Sequence, residues 1–337
     1  MLRDLLHIRS EPAAHGVALR AGISVLVPML TVLALGHPEW TMYAAFGAFT
    51  SLYGRNHVHL SRVVMQASAG AALTVAVALG AAVGSLESRD WVAVLAGAAV
   101  AALGSSISST QDWHPPGPLF LVFAFGAVAS VPHGVRDIPW STAVTAASAM
   151  FSLFVGNVGA LLRSRRSGRE RVAPVRTWQP ARLAVAVLLA GGFATAAGIG
   201  HSYWAMVAAV APLTVHGAAH QLVRSGHRIV GTLLGLVTSA ALLVLGLGPV
   251  ATVLVVALLQ IVTELVVGRN YGLALLFITP MALLMGQLAA PRQVGSLLLD
   301  RGVETVIGAL VAIGIILLEQ KARRCTHLGR IEVRRTR

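Results

Sequence analysis

Long stretches of this sequence contain no Asp, Glu, Lys or Arg over roughly the thickness of a bilayer, among them residues 21–38, 63–86, 91–111, 138–162, 183–223 and 229–263. A helical span needs ~20 apolar residues to cross a hydrocarbon core of ~30 Å. The last two stretches are long enough for two spans each, turning at Gly200-His201-Ser202 and at Gly246-Leu247-Gly248-Pro249. Only helices and closed barrels satisfy their backbone in lipid, and the period-2 alternation of barrel strands is missing. The expected fold is therefore an all-α polytopic membrane protein of about twelve transmembrane helices. They are expected near residues 17–36, 40–54, 63–85, 91–108, 117–132, 140–162, 182–199, 203–219, 229–247, 249–267, 271–289 and 302–318. Composition agrees, since 56% of residues are hydrophobic and only 12% are charged, about half the charged share of a soluble domain. An ordinary soluble enzyme, a disordered chain and a disulfide scaffold (one cysteine, Cys325) are all excluded.

The net charge of +13 is unevenly spread. Alternate loops hold Arg55 and Arg62; Arg163, Arg165, Arg166, Arg169, Arg171 and Arg176; Arg224 and Arg228; and Arg269. The intervening loops hold only Arg89, Arg136, Arg292 and Arg301. By the positive-inside rule the Arg-rich loops and both termini face the cytoplasm, which gives an inner (cytoplasmic) membrane protein with no nucleic-acid partner. Residues 1–16 are too polar for a signal-peptide core. The single lysine, Lys321, lies in a basic tail and no G-K-[ST] occurs, which excludes a Walker A loop.

The sequence also repeats itself. Gly36-His37-Pro38-Glu39-Trp40-Thr41-Met42-Tyr43-Ala44-Ala45 matches Gly200-His201-Ser202-Tyr203-Trp204-Ala205-Met206-Val207-Ala208-Ala209 as G-H-x-x-W-x-M-x-A-A. Thr50 and Thr214 keep the same offset, and Arg62-Val63-Val64 is followed in kind by Arg228-Ile229-Val230. Six spans per copy make the repeat parallel, about an axis along the membrane normal. The expected layout is a cytoplasmic segment 1–16, a first six-helix unit 17–162, an Arg-rich cytoplasmic linker 163–181, a second unit 182–318 and a basic cytoplasmic tail 319–337.

Several segments resemble the FUSC family, the fusaric acid resistance and aromatic acid exporter-like membrane proteins. Gly268-Arg269-Asn270-Tyr271, leading into Phe277-Ile278-Thr279-Pro280-Met281-Ala282-Leu283, is similar to the family's R-N-Y…T-P-x-A-L segment. Arg228-x-x-Gly231-Thr232-x-x-Gly235 resembles its R-x-x-G-T-x-x-G helix start. Asp300-Arg301-x-x-Glu304-Thr305-x-x-Gly308 resembles its closing helix. The first half carries a looser version in Phe46-Gly47-Ala48 and Tyr53-Gly54-Arg55. The resemblance implies an inner-membrane transporter of small, often aromatic, organic acids.

Short segments at matching places in two repeats point to a transport site, and Trp40–Gly54 and Trp204–Gly217 are such a pair. In that reading Thr50 and Thr214 face a shared cavity; in the plainer one they bond back to their own helices. The paired Arg62 and Arg228, with Arg269 and Asn270 on the next inner loop, supply guanidinium forks for a carboxylate, or else snorkel to headgroups. Thr279 precedes a mid-span proline that frees a carbonyl. His37 and His201 beside Trp40 and Trp204 form either an aromatic belt or an outer gate. Glu264 is an intramembrane carboxylate suited to ion coupling, or the ion-pair partner of Arg269. His216-x-x-x-His220 has metal-ligand spacing but no third ligand, so neither metal nor cofactor is expected, and no catalytic motif is found. The expected function is export of a small organic anion between the two units, with the bilayer and that anion as partners and a homo-oligomer as a further option. The alternatives are a passive anion channel of the same fold and a membrane scaffold without transport.

Overall fold

A computed structural model of the chain describes residues 15–54, 59–161, 179–200 and 202–335. Twelve α-helices and no strand occur among them: α1 His15–Ala34, α2 Thr41–Ala48, α3 His59–Gly84, α4 Arg89–Thr110, α5 Leu119–Ala129, α6 Asp137–Leu161, α7 Gln179–Ala196, α8 Tyr203–Leu213, α9 Ala218–Val244, α10 Pro249–Val266, α11 Tyr271–Ala289 and α12 Val294–Arg335. Among the described residues nine helices are long and apolar enough to cross a membrane. The other three, α2, α5 and α8, are shorter. The first fourteen residues and residues 163–178 of the expected Arg-rich linker lie outside the described residues, and its last three, 179–181, open α7.

The two kinds of helix bury themselves differently. Every residue of α2 and of α8 is buried, so neither needs bilayer length; protein rather than lipid surrounds them. The long helices keep one face exposed, and that face is greasy. On α9 the buried residues are Gln221, Ser225, Arg228, Gly231, Thr232, Gly235 and Ser239, a stripe at three- and four-residue spacing. Its exposed face carries Val230, Leu233, Leu234 and Val237, the last 69% exposed. Polar inside and apolar outside inverts the pattern of a water-soluble helix. Leu95 and Leu103 on α4 and Leu254 and Leu258 on α10 extend that apolar exterior, which only lipid would cover without penalty. The chain is a polytopic helical membrane protein.

Packing follows one scheme twice. In residues 15–161, α3 packs on α5 and α6, and α2 on α6; in residues 179–335, α9 packs on α11 and α12, and α8 on α12. Two crossed contacts join these sets, α4 with α7 and α1 with α10, and α5 meets α8 near the centre. Small residues allow the close approaches. A Cβ at Gly308 of α12 would collide with the Ala205 carbonyl of α8, and one at Gly47 of α2 with the Thr145 carbonyl of α6.

The element ends differ from the sequence reading at three informative places. The segment from Trp40 tightens into a 3₁₀ turn at Phe49–Leu52 and stops at Gly54, whose φ of +70° suits a residue without a side chain. Helix α9 starts at Ala218, so Arg224 and Arg228 lie within a helix and not in a loop. Helix α12 starts at Val294, so Arg301 also lies inside a helix, 1% exposed, and not in an outer loop.

Candidate functional site

Three cavities follow one another through the described residues. A vestibule of about 640 Å³ opens at the Arg-rich end, lined by His216, His220, His227, Arg269 and Asn270 together with Val215, Arg224, Val267, Gly268 and Tyr271. A central cavity of about 340 Å³ lies next to it. A crevice of about 30 Å³ lies at the opposite end, beside Ser130, Gln287 and Arg292. Arg224 and Tyr271 line both the vestibule and the central cavity. Trp204 and Ala282 line both the central cavity and the crevice.

The walls of the central cavity divide by chemistry. Residues 49–123 supply Phe49, Phe120, Phe123 and the Pro-rich turn His114-Pro115-Pro116-Gly117. Phe49 and Phe120 have ring centroids 5.3 Å apart, and Phe123 meets Trp204 at 4.9 Å, distances at which rings attract edge-on or offset. Residues 204–301 supply Arg224, Arg228 and Arg301, with Gln260, Glu264 and Tyr271. Three guanidiniums against one lining carboxylate leave the site positive.

Each arginine is held on an aromatic group. The spacing Arg224-x-x-x-Arg228 sets both on one face of α9, where they clasp Tyr271 at the start of α11. The Arg224 guanidinium lies 4.0 Å over the ring, and Arg228 Nη1 donates to the phenol oxygen at 2.9 Å. Asn270 caps α11 by accepting from Leu273 N at 2.9 Å, which fixes Tyr271 in place. From α12, Arg301 lies 3.6 Å over the Trp204 ring. Arg228 is 3% exposed. Nevertheless Arg228 Nε and Nη2, and Arg301 Nε and Nη1, have no hydrogen-bond partner among the described residues. A buried guanidinium with unfilled N–H groups carries a desolvation penalty of several kcal/mol. A carboxylate accepting from such a fork offsets it.

The residues singled out from the sequence scatter around this site. Arg228, Thr214, Trp204 and Glu264 line the central cavity, and Arg269 and Asn270 line the vestibule. Thr214 bonds back to the Ala211 carbonyl at 2.9 Å. Glu264 accepts from Gln260 Nε2 at 3.3 Å. Arg62 lines neither cavity and donates to the Gly156 carbonyl at 3.1 Å. Thr50 is buried against Gly70, and Thr279 against Gly235. His37 pairs with Glu39 at 2.8 Å and stacks on Trp40, which stacks in turn on Trp140. Arg62, Thr50, Thr279, His37 and Trp40 thus stand apart from the cavities. His201 lies outside the described residues. His216 precedes the start of α9 at Ala218, so it does not share a helix with His220.

Arg301, Arg224, Tyr271 and the Phe49–Phe120–Phe123 cluster were not among those candidates. A signal existed for the first three: Arg301 and Glu304 stand one turn apart, Arg224 and Arg228 likewise, and Tyr271 follows Arg269-Asn270. Residues 188–315 match the family model described as fusaric acid resistance protein-like, a stretch that includes all three arginines of the cavity. No curated protein and no solved structure matches the chain.

Proposed function

We propose, from the FUSC family membership that the match over residues 188–315 supports, that this membrane transporter-type protein carries small organic anions outward across the cytoplasmic membrane. The path runs from the vestibule through the central cavity to the crevice, with the vestibule on the cytoplasmic side. One observation carries this reading. Two buried guanidiniums, Arg228 and Arg301, hold four N–H-bearing nitrogens without partners in a cavity walled by phenylalanines. Such a lining takes up a negative group and an attached hydrocarbon or ring together. The vestibule adds Arg224 and Arg269 and no acid, which raises the local concentration of anions at the entrance. The paired packing of α1–α6 and α7–α12 supports two like-oriented six-helix units around that path. Glu264 in the same wall is the carboxylate placed to exchange a proton during the cycle. With no G-K-[ST] in the chain, the drive is an ion gradient or the electrochemical gradient of the anion itself.

The test is uptake of a panel of radiolabelled aliphatic and aromatic carboxylates into proteoliposomes under imposed pH and potential gradients. The wild-type protein is expected to move at least one of them. Arg228→Ala removes charge-assisted hydrogen bonds of roughly 1.5–3 kcal/mol and is expected to lower that flux about ten- to hundredfold. Absence of flux for every acid under every gradient overturns transport. Single-channel current steps in planar bilayers replace the carrier with a channel.

A further inference from the structure

Trp204 and Ala282 stand where the central cavity meets the crevice. The volumes fall from about 640 Å³ in the vestibule to 340 Å³ in the centre and 30 Å³ in the crevice. Between the last two stands Trp204, with the Arg301 guanidinium 3.6 Å above its ring and Phe123 against it at 4.9 Å. The equivalent tryptophan of the first copy plays no such part. Trp40 is sandwiched between His37 and Trp140, away from the cavities.

We propose that Arg301 and Trp204 form the outer gate of the path, and that Arg301 is also its last anion-binding residue. The inference rests on reading the cavities as a transport route. Arg301 suits both tasks because its position frustrates it. Its charge is buried, its Nε and Nη1 lack hydrogen-bond partners among the described residues, and the like-charged Arg228 acts on it across the cavity, partly opposed by Glu304 one turn along α12. The Trp204 ring partly stabilises the cation, and a desolvated cation–π contact of this kind contributes roughly 2 kcal/mol. A carboxylate arriving from Arg228 offers the guanidinium a stronger partner, because charge-assisted pairs exceed ring contacts. Arg301 then leaves the ring, Trp204 is free to turn, and the central cavity joins the crevice. No bond is made or broken; the anion supplies the differential affinity that shifts the gate. The cation–π contact joins α8 to α12 and has no counterpart at Trp40, so the path has one such gate and not a symmetric pair.

A labelling experiment tests this independently of transport. Cys325→Ser removes the chain's single cysteine, and Val207→Cys places a thiol in the central cavity, at a residue that does not line the crevice. A membrane-impermeant maleimide is added outside intact cells. The parent is expected to label slowly. Trp204→Ala and Arg301→Gln are each expected to raise the external labelling rate about tenfold or more, the fold-change that losing a desolvated cation–π contact implies. Arg301→Lys keeps the charge and loses the planar stack, and is expected to give a smaller rise; it serves if Arg301→Gln fails to insert. Inserted, monodisperse Trp204→Ala and Arg301→Lys proteins that label no faster than the parent overturn the gate. A parent that labels as fast as detergent-solubilised protein also overturns it. Faster labelling with no flux of any acid leaves the gate standing and removes the transport reading, whereas flux with unchanged labelling does the reverse.

Discussion

Residues 15–161 and residues 179–335 arrange their helices alike but fill the equivalent contacts with different chemistry. Where α6 meets α2, the first set uses hydroxyls: Ser148 Oγ donates to the Ala44 carbonyl at 2.5 Å and Thr145 Oγ1 to the Tyr43 carbonyl at 3.3 Å. Where α12 meets α8, the second set uses Gly308 against Ala205 and, toward the crevice, Arg301 over Trp204. Arg62 is tied to a backbone carbonyl, whereas Arg228 faces a cavity. The first set thus supplies a neutral aromatic wall and the second nearly all of the charge. Two similarly packed sets of helices thus differ in which bears the electrostatic cost of the cavity's buried cations.

The largest test of that division compares the paired arginines. Arg62→Ala is expected to leave anion flux within about twofold of wild type, against the ten- to hundredfold loss for Arg228→Ala. Equal losses would mean that both copies bind the anion. A second contrast lies in the first helix of each set. Arg182 of α7 pairs with Glu319 of α12 at 2.7 Å and donates to Gln221 of α9 at 3.0 Å. Its counterpart Arg20 of α1 is opposed by the cation Arg62. Breaking a buried pair by removing one partner costs about 3–5 kcal/mol, less here because Glu319 keeps 28% of its side chain exposed. Arg182→Ala is expected to lower the detergent-solubilised melting midpoint by several degrees and Arg20→Ala by less than one, measured by differential scanning fluorimetry. Equal shifts would dissolve the contrast.

The smallest expected effect concerns the loop after α5 in the first set. His133, in the loop after α5, shares a 2.7 Å hydrogen bond with Tyr43. Burial holds its protonation equilibrium below the ordinary histidine range, and the nearby Arg89 adds to this, partly opposed by the Val131 carbonyl and Asp137. A histidine that binds its proton less readily when folded than when unfolded favours folding above about pH 6.5 and disfavours it as pH falls. The melting midpoint is therefore expected to drop slightly between pH 7 and pH 5, and His133→Gln to flatten that slope. A slope unchanged in the variant would assign it to other groups.

Much of the fold was legible because lipid imposes a coarse rule. Most charge-free runs fall on the long helices, although 183–223 also takes in the short α8, and the brevity of the Trp40–Gly54 segment was visible at Gly54. The site was less legible for two physical reasons. An arginine reads as a loop marker when only its charge is counted, so Arg301 was placed outside the bundle although Trp204 and Glu304 accommodate it within. An apolar side chain reads the same whether it faces lipid or a cavity, so nothing in the sequence separated Phe120 and Phe123 of the cavity wall from Phe154 on the exterior. The repeated G-H-x-x-W motif drew attention equally to Trp40 and Trp204, and repetition alone did not distinguish the tryptophan stacked on His37 and Trp140 from the one that lines two cavities.

Helix α12 is 42 residues of uninterrupted helix without a proline, a rod of about 63 Å at 1.5 Å per residue. Arg301 sits near one end of its membrane portion and Glu319 near the other, and Gly308 touches α8 between them. A rod this stiff ties its contacts together. If the proposed gate opens by tilting α12, Arg301 cannot leave Trp204 without straining the Glu319–Arg182 pair, and a variant that breaks that pair is expected to change the external labelling rate as well.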